Sequence, residues 1–244
     1  MSKRIVEFLN RIFYKNLTDN WDHKIFRDEI LRHIDHDCIL LDLGAGSGIF
    51  RGINFKGLVK KVYGIDPDPR VLQNPHLDEA FVGNGESMPV FADAQFDVVI
   101  SCNVLEHLRE PIPFFQEVNR VLKPGGLFIT KTPNQFHYVP FIARITPDWF
   151  HKLFLRIYGI TEQDSFPTYY RVNSKQAQIW VARKAGFEVD DIRRYEGRPE
   201  YLRSNSILYI LGIFYERMVD LLHLDCLKVV MISRFRKSSG GRRF

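Results

Sequence analysis

Residues 38–50, CILLDLGAGSGIF, constrain the fold more than any other stretch of the chain. Five residues typical of a buried strand run directly into three glycines at alternate positions, Gly44, Gly46 and Gly48. Glycine lacks a Cβ and adopts left-handed conformations readily, so such a turn lets a ligand approach the backbone closely. A helix after the turn would add free N–H groups. The segment therefore predicts a ligand-binding turn between a buried strand and a helix.

The spacing of the glycines excludes two common nucleotide-binding turns. A phosphate-binding loop needs Gly-Lys-Ser/Thr, but Ile49 and Phe50 follow Gly48. The dinucleotide fingerprint needs a glycine three residues after Gly46, where this chain has Ile49. With Asp42 the pattern reads Asp-x-Gly-x-Gly-x-Gly, which alone leaves the ligand open.

Short apolar segments alternate with helical segments along most of the chain. The predicted strands are 39–43, 62–65, 79–82, 96–101, 126–131, 187–193 and 228–233. The predicted helices are 5–13, 21–34, 113–122, 174–184 and 204–222. Strands that are apolar on both faces and alternate with helices favour a parallel sheet covered by helices. We therefore predict a doubly wound α/β fold.

Composition is that of an ordinary globular protein, with 244 residues, 45% of them apolar and 26% charged. The cysteines, Cys38, Cys102 and Cys226, are odd in number and widely spread, which predicts a reduced, cytoplasmic protein without disulfides. We expect no metal site. Residues 33–37, which contain two histidines and two aspartates, are interpreted as a solvated turn between a helix and a strand.

Later segments complete an ordered set with the glycine turn. VYGIDPDP puts Asp66 at the end of the second strand, where a carboxylate can accept both ribose hydroxyls of a nucleoside. VGNGESMPV follows the third strand, FDVVISCNVLEHL forms the fourth strand and its exit, and LKPGGLFITKTPN forms a turn and the fifth strand. This set resembles class I S-adenosylmethionine-dependent methyltransferases, especially the type 11 methyltransferase domain of the ubiquinone and menaquinone biosynthesis enzymes. The resemblance is close over 39–131 and looser over 174–237.

The resemblance implies S-adenosylmethionine as the cofactor and a seven-stranded, mostly parallel sheet of the Rossmann-like methyltransferase fold. It places Asp42 near the amino group of the cofactor, the glycine turn against its methionine and ribose portions, and Asp66 on the ribose. The expected cofactor-binding residues are Asp42, Gly44, Ala45, Gly46, Gly48, Asp66, Pro67, Asn84, Gly85, Glu86, Ser101, Cys102 and Asn103. Asn84 departs from the family pattern, which often has Asp facing the adenine amine, although an amide oxygen can accept that hydrogen bond.

Residues 133–171 lie outside the common pattern and are dense in aromatic side chains. Rings with polar tips suit a pocket that excludes water while offering hydrogen bonds, although they would also suit the core of a helical lid. We expect an aromatic-rich helical insert after strand five that covers a small-molecule, saccharide or lipid-linked acceptor. The expected substrate residues are Tyr138, Trp149, His151, Tyr169, Tyr170 and Arg171. His107 and His137 are candidate bases, because imidazole titrates near neutral pH.

We predict one domain over residues 1–244. Its expected parts are N-terminal helices (1–37), a cofactor-binding core (38–131), a substrate-lid insert (132–173), C-terminal helices and strands (174–237) and a basic tail (238–244). No obligate protein partner is evident from the sequence.

The net charge of +5 is concentrated at the C-terminus, where the last sixteen residues contain five basic residues and no acid. A solvated tail is the simpler interpretation. Nucleic acid is disfavoured as the acceptor. Adenine and cytosine amino-methyltransferases have an Asn/Asp-Pro-Pro-aromatic turn after strand four, and cytosine C5 enzymes have a Pro-Cys nucleophile there, whereas this chain has Ser101-Cys102-Asn103-Val104. The basic, amphipathic N-terminal stretch and the tail suggest a peripheral contact with the inner membrane face. We interpret the apolar segment 204–215 as packing on the sheet and leave the first helix open.

Two other classes of function stay open. One is a noncatalytic protein that keeps the fold and binds S-adenosylmethionine without turnover. The other is a nucleotide-dependent oxidoreductase, which the glycine spacing disfavours. Binding of S-adenosylmethionine distinguishes a methyltransferase from the oxidoreductase, and turnover distinguishes it from the noncatalytic protein.

Overall fold

The computed structural model describes residues 2–15, 17–49, 52–145 and 167–239. They belong to two compact units. The described residues of the first, which we call the sheet unit, lie within 23–132, 167–193 and 231–239. Those of the second, the helical unit, lie within 2–22, 133–145 and 194–230.

A seven-stranded sheet has the order β3-β2-β1-β4-β5-β7-β6. Its strands are β1 (Ile39–Leu43), β2 (Lys61–Asp66), β3 (Glu79–Val82), β4 (Phe96–Cys102), β5 (Leu122–Pro133), β6 (Phe187–Tyr195) and β7 (Val230–Lys237). The four pairs that link β3, β2, β1, β4 and β5 are parallel. The predicted doubly wound, seven-stranded α/β fold is therefore confirmed.

The helices are α1 (Ser2–Phe13), α2 (Trp21–Leu31), α3 (Pro111–Val121), α4 (Tyr138–Ile145), α5 (Lys175–Lys184) and α6 (Ser206–Leu221). Their ends follow local chemistry. Pro111 opens α3, where an amide N–H has no helical partner to lose. The Ser174 hydroxyl accepts the Ala177 N–H to cap α5, and Asn205 caps α6 by accepting the N–H groups of Ile207 and Leu208.

Aromatic side chains form the centre of the sheet unit. Phe115 of α3 lies edge-on to Phe128 of β5 and Phe235 of β7, with ring centroids 5.4 and 5.6 Å apart. All three rings are fully buried. Such edge-to-face pairs add to the free energy gained by burying the rings, so this cluster fixes α3 on the sheet.

The helical unit is organised by contacts between α1 and α6. Val6 packs with Tyr209 and Ile213. The Tyr14 hydroxyl donates a hydrogen bond to the buried carboxyl group of Glu216. Tyr209, Ile213 and Glu216 share one face of α6, because their spacing follows the helical period.

Asp97 and His33 lie outside the glycine turn and have structural partners. Asp97 accepts the Ile39 N–H at 2.9 Å and the Lys123 ammonium at 2.7 Å, which joins the start of β4 to the start of β1. His33 lies 3.4 Å from Glu29 at the end of α2. In the described residues no group of three or more His, Cys, Asp or Glu side chains could hold a metal ion. Within those same residues no helix is both long and apolar enough to cross a bilayer.

Candidate active site

The strand order reverses direction at β1, which places the ends of β1 and β4 at a topological switch point of the sheet. In the parallel register, Leu43 of β1 is level with Ser101 of β4 and with Ile65 of β2. The carboxyl ends of these strands therefore meet at one edge. In open α/β sheets the crevice at such a point is where ligands bind.

The glycine turn after β1 needs its glycines for different reasons. Gly44, Gly46 and Gly48 all have left-handed φ values, +81°, +53° and +76°. A Cβ at Gly44 would lie 2.3 Å from the Val104 side chain, and one at Gly48 would lie 2.3 Å from Asn74 Oδ1. A Cβ at Gly46 would meet no atom within 4 Å. Gly46 thus faces open space that a ligand can enter, whereas Gly44 and Gly48 pack against side chains of the protein.

The expected helix after the glycine turn is absent from the described residues between β1 and β2, which are 44–49 and 52–60. Residues 44–49 and 52–60 form turns, bends and an isolated bridge. The glycines bend the backbone into left-handed conformations at every second residue, which cannot propagate a right-handed helix. Any ligand at this turn would therefore meet the backbone of the turn rather than the N-terminus of a helix.

Asp66 ends β2 and is held in place by the glycine turn. Its Oδ2 accepts the Gly46 N–H at 2.9 Å, and its Oδ1 accepts the Asp68 N–H at 2.8 Å. The side chain is buried. Each carboxylate oxygen can accept a further hydrogen bond, so this oriented carboxylate can still receive the two ribose hydroxyls.

Asn74 is a site residue that sequence reasoning missed. Its Nδ2 donates to the carbonyl oxygens of Ala45 and Gly46 at 3.0 and 3.2 Å, and its Oδ1 accepts the His76 N–H at 3.0 Å. The side chain is buried and ties the turn to the segment after β2. Its one sequence signal is the dipeptide Asn74-Pro75, which marks a turn but does not reveal its partner.

Asp42 carries the main electrostatic feature of this edge. Burial, with a contribution from the nearby charge of Asp66, raises the pKa of Asp42 to about 7. A cationic ammonium group placed beside it would favour the ionised carboxylate and lower that pKa again. Asp42 is therefore suited to bind the amino group of an amino-acid moiety.

The segment after β3 packs closely on β1 and α3. The Gly83 N–H donates to Asp66 O at 3.0 Å. A Cβ at Gly85 would lie 2.7 Å from the side chains of both Leu43 and Phe114, so only glycine fits there. Asn84 is exposed, and its Oδ1 accepts the Glu86 N–H at 3.1 Å. That oxygen keeps a second lone pair for an adenine amine.

The exit of β4 is fixed by hydrogen bonds to β5. The Ser101 hydroxyl is fully buried and lies 3.0 Å from the Thr130 hydroxyl. Asn103 has a left-handed φ of +56°, and its N–H donates to Lys131 O at 2.8 Å. Cys102 between them is half-buried. The Ser101 side chain is thus structural, and the predicted cofactor role of this segment rests on its backbone.

Residues 167–171 run along the loop after β4. The N–H groups of Tyr169 and Tyr170 donate to Glu106 O at 2.7 and 3.2 Å. His107 Nδ1 lies 2.9 Å from Pro167 O, and Nδ1 is the donor because a carbonyl oxygen can only accept. The Glu106 carboxyl group accepts the Thr132 hydroxyl at 2.9 Å, and burial raises its pKa. Two predicted substrate tyrosines and one predicted base therefore lie together in the sheet unit, beside the exposed Arg171.

The other predicted catalytic and substrate residues are distributed differently. His137 and Tyr138 belong to the helical unit, where their rings are 4.2 Å apart at the centroids. Burial lowers the pKa of His137 to about 3, so its imidazole is a weak base. Trp149 and His151 lie outside the described residues. Pro67, next to Asp66, is exposed.

Comparisons with known proteins place this geometry in a class. Residues 41–130 match the type 11 family described as methyltransferase domain. The chain is 30% identical over 171 residues to a protein of Mycolicibacterium smegmatis named as an S-adenosylmethionine-dependent methyltransferase. The aligned residues are 66% of this chain and 58% of that protein. The chain is 36% identical over 107 residues to thiol S-methyltransferase TMT1B of Rattus norvegicus, covering 40% of this chain and 43% of that enzyme. The chain thus matches less than two thirds of the length of these relatives.

Solved structures agree on the fold. An S-adenosylmethionine-dependent methyltransferase from Mesorhizobium loti has a TM-score of 0.59 at 14% identity, over 90% of this chain and 99% of that one. The [4+2]-cyclase SpnF has a TM-score of 0.57 at 17% identity, over 89% and 81%. Residues 41–130 are thus similar in sequence to S-adenosylmethionine-dependent methyltransferases, and the sheet is similar to theirs in fold.

Proposed function

We propose that this protein transfers the methyl group of S-adenosylmethionine to a small-molecule acceptor. The observation that carries the proposal is the edge formed by the glycine turn, Asp66 and Asp42 at the switch point of the sheet. Gly46 leaves open space beside the backbone, and Asp66 is anchored by the Gly46 N–H. An oriented carboxylate for a ribose, an acid for an ammonium group and a bare backbone between them fit a nucleoside that carries an amino acid.

In the proposed complex, each part of the edge binds one part of the cofactor. Asp66 accepts the ribose hydroxyls, Asp42 accepts the ammonium group, and Asn84 accepts the adenine amine. The bound cofactor supplies an electrophilic methyl group on a sulfonium, whose sulfur keeps the electron pair of the broken C–S bond. The acceptor contributes the electron pair of the new bond. The protein's main contribution is orientation, which alone can be worth roughly 7–11 kcal/mol.

The proton of a weakly acidic acceptor needs a base, and we assign that role to His107. Its Nδ1 donates to Pro167 O, which fixes the orientation of the imidazole beside the loop after β4. His137 is the weaker of the two predicted bases, because burial keeps its pKa near 3. An acceptor that is already ionised, such as a carboxylate, would need neither residue.

The finer proposal for the acceptor is a partly apolar, ring-containing or lipid-linked compound. Tyr169, Tyr170 and Arg171 support it, because they border the loop after β4 and combine rings with polar groups. Tyr169 is exposed and Tyr170 half-buried. A thiol is the acceptor in the name of the rat relative, and we include thiols among the compounds to test.

Titration calorimetry of the full chain tests the cofactor assignment. We expect S-adenosylmethionine and S-adenosylhomocysteine to bind and NAD not to bind. Asp66→Ala should weaken binding of both sulfur nucleosides about 100-fold, because charge-assisted hydrogen bonds are lost. Asp68→Ala is the matched control. It removes only the carboxylate that accepts the Arg70 N–H, and the backbone N–H of residue 68 still donates to Asp66. Binding of NAD alone would refute the assignment.

Turnover tests the proposed reaction. The chain should transfer labelled methyl groups to members of a panel of thiols, phenols and lipid-linked alcohols. With a phenol or alcohol acceptor, His107→Gln should lower kcat about 100-fold or more, while His137→Gln should not. Equal losses in both variants would contradict the role of His107.

A noncatalytic S-adenosylmethionine-binding protein is the second candidate function. The fold alone does not decide between the two candidates, because one fold hosts different activities. Cofactor binding without methyl transfer to any acceptor of the panel would favour this candidate.

A further inference from the structure

The outer face of α6 is unusually apolar for an exposed helix. Helical spacing puts Ile207, Ile210, Leu211, Phe214 and Leu221 on the side opposite the buried Tyr209, and all five are exposed. Phe214, for example, is 64% exposed. Single exposed apolar residues are normal, but a contiguous apolar face marks an interaction surface.

The neighbouring helix α1 presents a second apolar face. Ile5, Phe8 and Ile12 recur at helical spacing and are exposed, with Phe8 at 62%. The surfaces of the two helices meet, because Arg217 of α6 donates to Phe13 O at 3.2 Å and lies over the Phe13 ring. Phe13 is itself exposed. The faces of α1 and α6 thus form one surface in the helical unit, which we call the α1–α6 face.

Basic residues flank the apolar stripe of α1. At 100° per residue, Arg4 and Arg11 lie on the side of Phe8 away from the packed Val6, and Lys15 follows the end of the helix. All three are exposed, and none takes part in an ion pair formed among the described residues. An apolar stripe bordered by cations is the arrangement of helices that lie in the interface of an anionic membrane.

The basic residues just before the predicted tail are engaged within the sheet unit. Arg236 pairs with Asp190 at 2.6 Å. Lys237 Nζ donates to the carbonyl oxygens of Asn119 and Leu122 at 2.6 and 2.7 Å. Arg242 and Arg243 lie outside the described residues. Arg236 and Lys237 are therefore tied to the protein, whereas Arg4 and Arg11 of α1 are exposed.

We infer that the α1–α6 face docks the protein onto a bilayer that contains anionic lipid. The exposed side chains of α6 supply the apolar surface that enters the interface, and Arg4, Arg11 and Lys15 supply the attraction to the headgroups. A second copy of the chain fits less well, because a two-fold interface on this face would bring two sets of α1 cations together. The inference does not depend on the proposed methyl transfer.

Flotation of the full chain with lipid vesicles tests the inference without cofactor or acceptor. We expect it to float with vesicles of phosphatidylcholine and phosphatidylglycerol, to float less with phosphatidylcholine alone, and to dissociate as salt is raised. The double variant Leu211→Ser/Phe214→Ser should weaken binding about tenfold or more. Arg4→Glu/Arg11→Glu should weaken binding to anionic vesicles by a similar factor and leave binding to phosphatidylcholine unchanged.

Trp180→Ser is the matched control, because Trp180 of α5 is 55% exposed and belongs to the sheet unit. It should bind vesicles like the unmodified chain. Circular dichroism and thermal unfolding check that each variant is folded. Failure of the unmodified chain to float, or equal flotation of all variants, would overturn the inference. A dimer that the Leu211→Ser/Phe214→Ser variant abolishes, without vesicle binding, would overturn it in favour of self-association.

Discussion

The sheet unit and the helical unit use polar groups in different ways. At the carboxyl edge of the sheet, Asp66 and Asn74 are held by backbone groups that lie near them in the glycine turn. In the helical unit, Glu216 is buried beside Tyr14, a partner far away in sequence. The glycines and the acid that ends β2 leave a strong sequence pattern, whereas the contacts of Asn74 and the buried Glu216–Tyr14 pair leave none.

The largest effect should come from breaking the glycine turn where the protein itself fills the space. Gly44→Ala combines a left-handed φ with a contact of 2.3 Å to Val104, and should lower the free energy of unfolding by about 3 kcal/mol. Gly46→Ala has the same backbone strain but no such contact, and should cost only about 1 kcal/mol. Urea unfolding of both variants measures the difference.

Binding should separate these two variants in the opposite sense. The methyl group of Gly46→Ala would occupy the space that we assign to the cofactor, so affinity for S-adenosylhomocysteine should fall at least about tenfold despite the small loss of stability. Equal stability losses in the two variants, or normal affinity in Gly46→Ala, would contradict the division of roles within the turn.

The second effect concerns the pH dependence of Asp42. An acid whose pKa is raised in the folded state binds more protons there than in the unfolded chain, so stability falls as pH rises from about 4 to about 7. Asp42→Asn cannot ionise and so avoids this loss. Without bound cofactor at pH 8, its free energy of unfolding should exceed that of the unmodified chain by about 1–3 kcal/mol. Thermal unfolding at pH 5 and pH 8 measures this gain.

The same variant should lose the proposed ammonium contact. Affinity of the unmodified chain for S-adenosylmethionine should rise with pH up to about 7 and then level off, because the carboxylate is the binding form. Asp42→Asn should bind about 10- to 100-fold more weakly at pH 8 and show no such rise. Calorimetry across this pH range would contradict the assignment if both proteins followed the same pH profile.

The sequence predicted the sheet unit well because its pattern is local. The bounds of β1 and β3 agree residue for residue with the predicted 39–43 and 79–82. Asp66 follows from its position at the end of a strand. Asn74 could not be predicted, because its partners are the carbonyl groups of a turn about 28 residues earlier in the chain, and backbone carbonyls leave no residue type to recognise.

The acceptor side was less predictable for a related reason. Aromatic density alone could not distinguish pocket residues from core residues, and the structure places Tyr138 beside His137 in the helical unit but Tyr169 and Tyr170 along the β4 loop. The low pKa of His137 is likewise a product of burial, which depends on the tertiary structure.

The third effect concerns the buried acid of the helical unit. Burial raises the pKa of Glu216 to about 9, so the stability of this unit should fall as pH rises from about 5 to about 9. Glu216→Gln keeps a neutral partner for Tyr14 and removes this slope, with a gain of about 1–2 kcal/mol at pH 9. Hydrogen exchange of the α1 and α6 amides should show protection gained in the variant, while amides of β1 and β4 stay unchanged.

The smallest effect compares the caps of one helix in each unit. Ser174 accepts one N–H of α5, and Asn205 accepts two N–H groups of α6. Replacing either by alanine should cost about 1 kcal/mol. The loss at Ser174 should reach the whole sheet unit, because this side chain is buried and α5 packs on α3. The exposed Asn205 should affect mainly the first turn of α6, which hydrogen exchange resolves residue by residue. Uniform loss of protection across α6 and α1 in Asn205→Ala would instead mean that the two helices of the α1–α6 face open together, as one cooperative element.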